Sequence, residues 1–69
     1  MSADNRIVVK ILGDNWVTYM EQGDEPYSDG EIRGNYYYKK FGDDKLKAVE
    51  YATEICRDEI VEYGVDLRD

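Results

Sequence analysis

Chemistry in this chain would have to run on carboxylates, tyrosines and lysines, because histidine is absent and cysteine occurs once. Without an imidazole the usual general base at neutral pH is missing. Ser2 and Ser28 fall in a terminus and a loop, with no neighbour implied that would activate them. Cys56 lies on the apolar stripe of a predicted helix, where a thiol serves as a small buried hydrophobe rather than a nucleophile. Carboxylates abound, but nothing in their spacing implies a cleft that would raise a pKa. The expectation is a protein that is not an enzyme.

Metal and cofactor readings are equally poor. A structural zinc site needs histidine or paired cysteines, and neither is present. Residues 24–31 (DEPYSDGE) gather oxygen ligands, but a calcium loop of the EF-hand type needs them at set positions. Placing Gly30 at the sixth position puts Tyr27 at the third and Tyr36 at the twelfth, where carboxylates belong. No metal and no cofactor are expected.

What remains is charge geometry. Sixteen acids against nine bases give a net charge of −7. Such a surface repels nucleic acid and anionic membranes and favours basic proteins as partners. Residues 36–40 (YYYKK) interleave aromatics and bases as a nucleic-acid stacking platform does. The acids flanking them oppose a phosphate backbone, so no direct nucleic-acid binding is expected. The acids are also unevenly placed. From residue 13 to 32 there are six (Asp14, Glu21, Asp24, Glu25, Asp29, Glu31) and no base. Glu50, Glu54, Asp58 and Glu62 follow a strict step of four, which on one continuous helix forms an acidic stripe about 18 Å long. Each like-charged i,i+4 pair opposes the helix by a few tenths of a kcal/mol. Such a row can substitute for DNA phosphates before a protein built to neutralise them. Glu50, Glu54, Asp58, Glu62, Asp24, Glu25, Asp29 and Glu31 are therefore the expected partner-binding residues. An ordinary solvated helix face is the competing reading.

The elements that must position these residues follow from periodicity. Residues 6–12 (RIVVKIL) alternate, with Ile7, Val9 and Ile11 on one face and Arg6, Val8, Lys10 and Leu12 on the other. A turn at 13–15 leads to a returning strand at 16–21 (WVTYME). Residues 22–34 hold three of the six glycines and the single proline and read as a loop, with a short irregular strand near 31–33. Residues 35–41 (NYYYKKF) read as a third strand. Asp43 or Asp44 caps a helix over 43–63, with Leu46, Val49, Ala52, Cys56, Ile60 and Tyr63 facing the core. It ends at Gly64, and 65–69 form a tail.

The predicted fold is thus α+β, a single domain (1–69) with a three-stranded antiparallel sheet and one C-terminal helix packed on it, in the order βββα. One helix covers one sheet face. Val8, Leu12, Tyr36 and Tyr38 would then be exposed on the other, which predicts a homodimer through that open face or through a sheet edge. With no apolar run long enough to span a membrane and no signal-peptide core, a cytoplasmic location is expected.

The opening residues 1–5 (MSADN) followed by a short hydrophobic strand, together with the size, charge and element order, resemble small acidic bacteriophage proteins of the DNA-mimic, host-takeover type. The resemblance implies an inhibitor that occupies the DNA-binding surface of a basic host protein in the bacterial cytoplasm. The nucleoid protein HU, a small basic dimer that grips DNA largely through backbone charge, is the first such target. An alternative is an inhibitor of RNA polymerase, a CRISPR effector or a restriction enzyme, anchored by the tyrosines and Trp16. A small structural subunit is a third reading.

Overall fold

The alternating residues at the start of the chain form strand β1 (Asn5–Leu12), which pairs antiparallel with β2 (Asn15–Gln22) from Asn5↔Gln22 to Leu12↔Asn15. The computed structural model describes residues 4–68. Gly13, at φ +65°, opens the two-residue turn between these strands, a place where a side chain would be strained. The expected alternation holds for Ile7 and Val9, which enter one core cluster, and for Val8 and Leu12, which enter another on the opposite face, whereas Ile11 is exposed outside the core.

The first cluster lies under helix α2 (Lys45–Asp58). Asp44 caps this helix by accepting the Lys47 backbone N–H at 3.0 Å. Ala48, Ala52 and Ile55 are its buried residues, with Val49, Tyr51 and Cys56 partly buried beside them. The two alanines are short enough for the helix to lie flat on Ile7 and Val9. The predicted buried stripe therefore needs correcting. Leu46 is exposed, Ile55 takes a core position, and Ile60 and Tyr63 lie beyond the helix and are exposed.

The helix stops at Asp58 because a competing set of bonds captures the chain. Asn5, buried at the start of β1, donates from Nδ2 to the Ile60 carbonyl (3.1 Å) and accepts the Glu62 N–H at Oδ1 (2.8 Å). Its own carbonyl accepts the Tyr63 N–H at 3.0 Å. Gly64, at φ +70°, then turns the chain so that its carbonyl accepts the Ile7 N–H at 2.9 Å. The segment predicted as a tail becomes strand β4 (Val65–Arg68), parallel to β1 in register Ile7↔Val65 to Lys10↔Arg68. A parallel neighbour requires a crossover, and α2 supplies it.

The predicted third strand shrinks to β3 (Lys39–Lys40), paired with Val17 and Thr18. Asn35 replaces the rest of it. Its side chain donates to the Met20 carbonyl (2.8 Å) and accepts the Met20 N–H (3.2 Å), closing the β2 edge as a strand would. Its carbonyl accepts the Tyr38 N–H (3.1 Å), which turns residues 35–38 instead of extending them. The sheet is four-stranded and mixed, in the order β3-β2-β1-β4, rather than three-stranded and antiparallel.

The second face is not bare. Residues 29–33, predicted as loop or irregular strand, form a short helix, α1 (Asp29–Arg33), opened by a capping box between Ser28 and Glu31. Fully buried Ile32, with Tyr27 and Tyr38 alongside, packs on Val8, Leu12, Val17 and Tyr19. Val8 at 0% and Leu12 at 8% exposure have little surface to offer a second copy, Tyr38 belongs to the same cluster, and of the four expected interface residues Tyr36 alone is largely exposed. The uncovered face that motivated a dimer does not exist in this fold.

Candidate functional site

The acidic residues fall into two groups on opposite sides of the sheet. Asp29 and Glu31 sit on α1, with Asp24 and Glu25 in the bend before it. Glu31 is engaged locally: its carboxylate accepts the Ser28 N–H at 2.9 Å, and those bonds hold its pKa below the usual carboxylate value. Glu50, Glu54 and Asp58 lie on α2, across the sheet. The two sets do not form one surface.

The predicted stripe of four is three residues long. Glu62 follows the end of α2, and its carboxylate accepts the Asp4 N–H at 2.8 Å. Glu50, Glu54 and Asp58 remain exposed, rising about 6 Å from one to the next. Among the described residues, none of the three has a side-chain hydrogen bond or ion pair. Lys47 and Arg57 share a shallow depression with Glu50 and Glu54 without closing an ion pair to either.

A groove of about 520 Å³ joins the end of this row to the tyrosine segment, lined by Tyr36, Tyr37, Tyr51, Glu54, Ile55, Asp58 and Glu59. Tyr36 is 92% exposed and meets Tyr37 edge to face, with ring centroids 5.0 Å apart. The Tyr37 hydroxyl reaches Glu59 Oε1 at 3.5 Å. Partial burial and the Glu59 charge push the Tyr37 phenol up. Sequence reasoning missed Tyr37, Tyr51 and Glu59. Tyr51 was accessible in principle, since positions 51, 54 and 58 share one helical stripe. The approach of 36–37 to 54–59 depends on the Asn35 turn, which no local pattern announces.

The most buried charges lie elsewhere. Glu21, 3% exposed, accepts from Arg6 (3.1 Å) and from both terminal nitrogens of Arg68 (2.7 and 3.2 Å), and Arg68 also bonds Asp66 at 2.8 Å. Burial alone would raise the Glu21 pKa, but the Arg68 and Arg6 contacts outweigh it and leave the carboxyl below its usual range. The Tyr19 hydroxyl touches the same carboxylate at 3.5 Å, and burial beside that charge pushes its pKa up to about 12. This cluster fastens β4 to β1 and β2. Burial likewise raises the Cys56 thiol pKa, which disfavours the nucleophilic thiolate.

Among the described residues, no group of three or more acids and cysteines is placed to hold a metal ion, and no helix is long and apolar enough to cross a membrane. Comparison with known protein families, with curated proteins and with solved structures finds no match.

Proposed function

We propose that this chain is an acidic protein-binding module that occupies the DNA-binding surface of a basic protein, in the manner of small acidic phage proteins that mimic DNA against their host. The observation that carries the reading is the exposed, unpaired row Glu50, Glu54 and Asp58 on the rigid α2 scaffold. Successive positions about 6 Å apart along the helix axis present a row of negative charge complementary to arginines and lysines. A solvated helix face alone would gain from interspersed bases at these positions.

HU is the first target to test. The measurement is displacement of labelled duplex DNA from HU, alongside thermal melts. The wild type should displace DNA without binding it. Glu54→Lys/Asp58→Lys should lose displacement while its fold holds, because the repulsion between positions 50 and 54 becomes an attraction and a cation near the helix C-terminus favours the helix. No displacement by wild type removes HU as the target. Equal displacement by both proteins removes α2 from the role.

A second reading, an aromatic-anchored interface with another host machine, draws on Tyr36 and on Ile60, which is 87% exposed. Salt separates the two. Charge mimicry weakens steeply between low and physiological ionic strength, whereas an aromatic anchor does not.

A further inference from the structure

The groove beside the second half of α2 has a composition that points to one kind of ligand. Tyr36, Tyr37 and Tyr51 give it aromatic walls, Glu54, Asp58 and Glu59 give it charge, and no lysine or arginine lines it. The fold covers other aromatic rings, and the groove's own Tyr51, with its own cations. Lys45 stands over Trp16 at 5.2 Å, Lys39 over Tyr51 at 4.9 Å and Phe41 at 5.8 Å, and Arg6 over Tyr63 at 5.5 Å. Among the described residues, Tyr36 and Tyr37 have no such cation, although they stand beside three carboxylates.

The Tyr37 side of the aromatic wall is anchored to the scaffold before any ligand arrives. The Asn35 side-chain oxygen accepts the Tyr37 N–H at 3.0 Å while the same side chain is bonded to Met20 in β2. The Tyr37 ring is tied in turn to Glu59 at the end of α2. A site whose parts are fixed by the scaffold loses little entropy on binding.

We propose that this groove takes an arginine side chain of the partner protein, its guanidinium against the Tyr36–Tyr37 pair and its N–H fork on Glu54 and Asp58. The proposal rests on the acidic-helix reading above for the basic nature of the partner, and it adds the anchor residue. Arginine fits better than lysine because a planar guanidinium stacks on a tyrosine face and offers several N–H donors in a fixed fork. A fully methylated ammonium would leave the carboxylates without donors.

The test is an NMR titration of the ¹⁵N-labelled full chain at low salt with acetyl-Gly-Arg-Gly-Arg-Gly-amide and with its lysine counterpart. Amides of Tyr36 and Tyr37 and of residues 54–59 should shift, and the arginine peptide should bind about fivefold more tightly than the lysine one. Tyr36→Ala should erase that preference. Glu54→Gln, at an exposed position, should weaken both peptides and serves if the tyrosine variant melts early. Equal affinity for the two peptides, shifts confined to other surfaces, or no binding would each overturn the proposal. Arginine preference without displacement of DNA from HU leaves the groove standing and removes the HU reading. Displacement without arginine preference does the reverse.

Discussion

The two faces of the sheet are sealed by different means. Under α2 the core is apolar and follows helical and strand periodicity, with Ile7, Val9, Ala48, Ala52 and Ile55 at its centre. Under α1 one isoleucine and two tyrosines cover the strands, and the margin is an ion cluster in which Glu21 binds two arginines. A five-residue helix holds few apolar anchors, so each one must carry more of the cover. The comparison shows that a loop of polar composition can close a sheet face when its few apolar residues are correctly placed.

The sharpest way to break this comparison is to ask whether the α1 face needs a second copy. Because both faces are closed within one chain, sedimentation equilibrium at micromolar concentration should return the mass of one chain. A doubled mass would mean that α1 is displaced or that an edge strand pairs. At the level of single residues, Ile32→Ala should lose about 3 kcal/mol, a large fraction of what a domain of this size has. Ile60→Ala should stay within about 0.5 kcal/mol because its side chain is almost fully exposed. Urea denaturation of both variants checks the contrast, and equal values would show that α1 does not seal the face.

The difference between the faces also explains what could be read in advance. The hairpin, its two faces and the start of α2 at Asp43 or Asp44 were legible because alternation and capping act locally. Strand β4 was not, since its polar Asp66 and Arg68 look like a solvated tail until Glu21 provides a partner for Arg68. Helix α1 did leave a signal in Ser28-x-x-Glu31, a capping box preceding Ile32. The acidic row was legible as three residues, and its fourth was lost to the Asn5 bonds that end α2. The tyrosine groove needed the tertiary turn at Asn35.

The ion cluster yields the next effect in size. Glu21→Gln should cost about 2 kcal/mol, less than the ~3–5 kcal/mol of a fully buried pair, because Arg6 and Arg68 keep 16% and 35% side-chain exposure. Its pH signature follows from a folded pKa lying below the ordinary value of 4.5. The stabilisation is present above that value and is lost as pH falls through and below it. Wild-type stability should therefore drop faster than that of Glu21→Gln on acidification below pH 4.5, as read from melts across that range.

Tyr19 extends the same logic to the alkaline side. Its pKa is raised from 10.0 to about 12, so its contribution is complete below pH 10 and is lost as pH climbs toward 12. Lysines titrate in the same window, so the informative quantity is the difference between wild type and Tyr19→Phe. The phenylalanine variant should lose less stability between pH 10 and 12. Parallel curves would mean that the phenol is not desolvated by the α1 cover.

The last effect has the opposite sign and comes from the other face. Thr18 pairs with Val9 in β1, which puts its side chain on the α2 side of the pleat. It is fully buried, and its hydroxyl has no hydrogen-bond partner among the described residues. A buried hydroxyl without a partner loses its hydration and gains nothing in return, unlike Glu21, whose oxygens are all engaged. Valine keeps the branched shape that β2 requires and removes the polar atom. Thr18→Val should therefore stabilise the fold by about 1 kcal/mol, while loss of charge at Glu21 destabilises it. Urea midpoints at constant m-value measure both. A destabilised Thr18→Val would show that the hydroxyl has a partner, and with it that the α2 face is not the apolar layer that sets it apart from the face under α1.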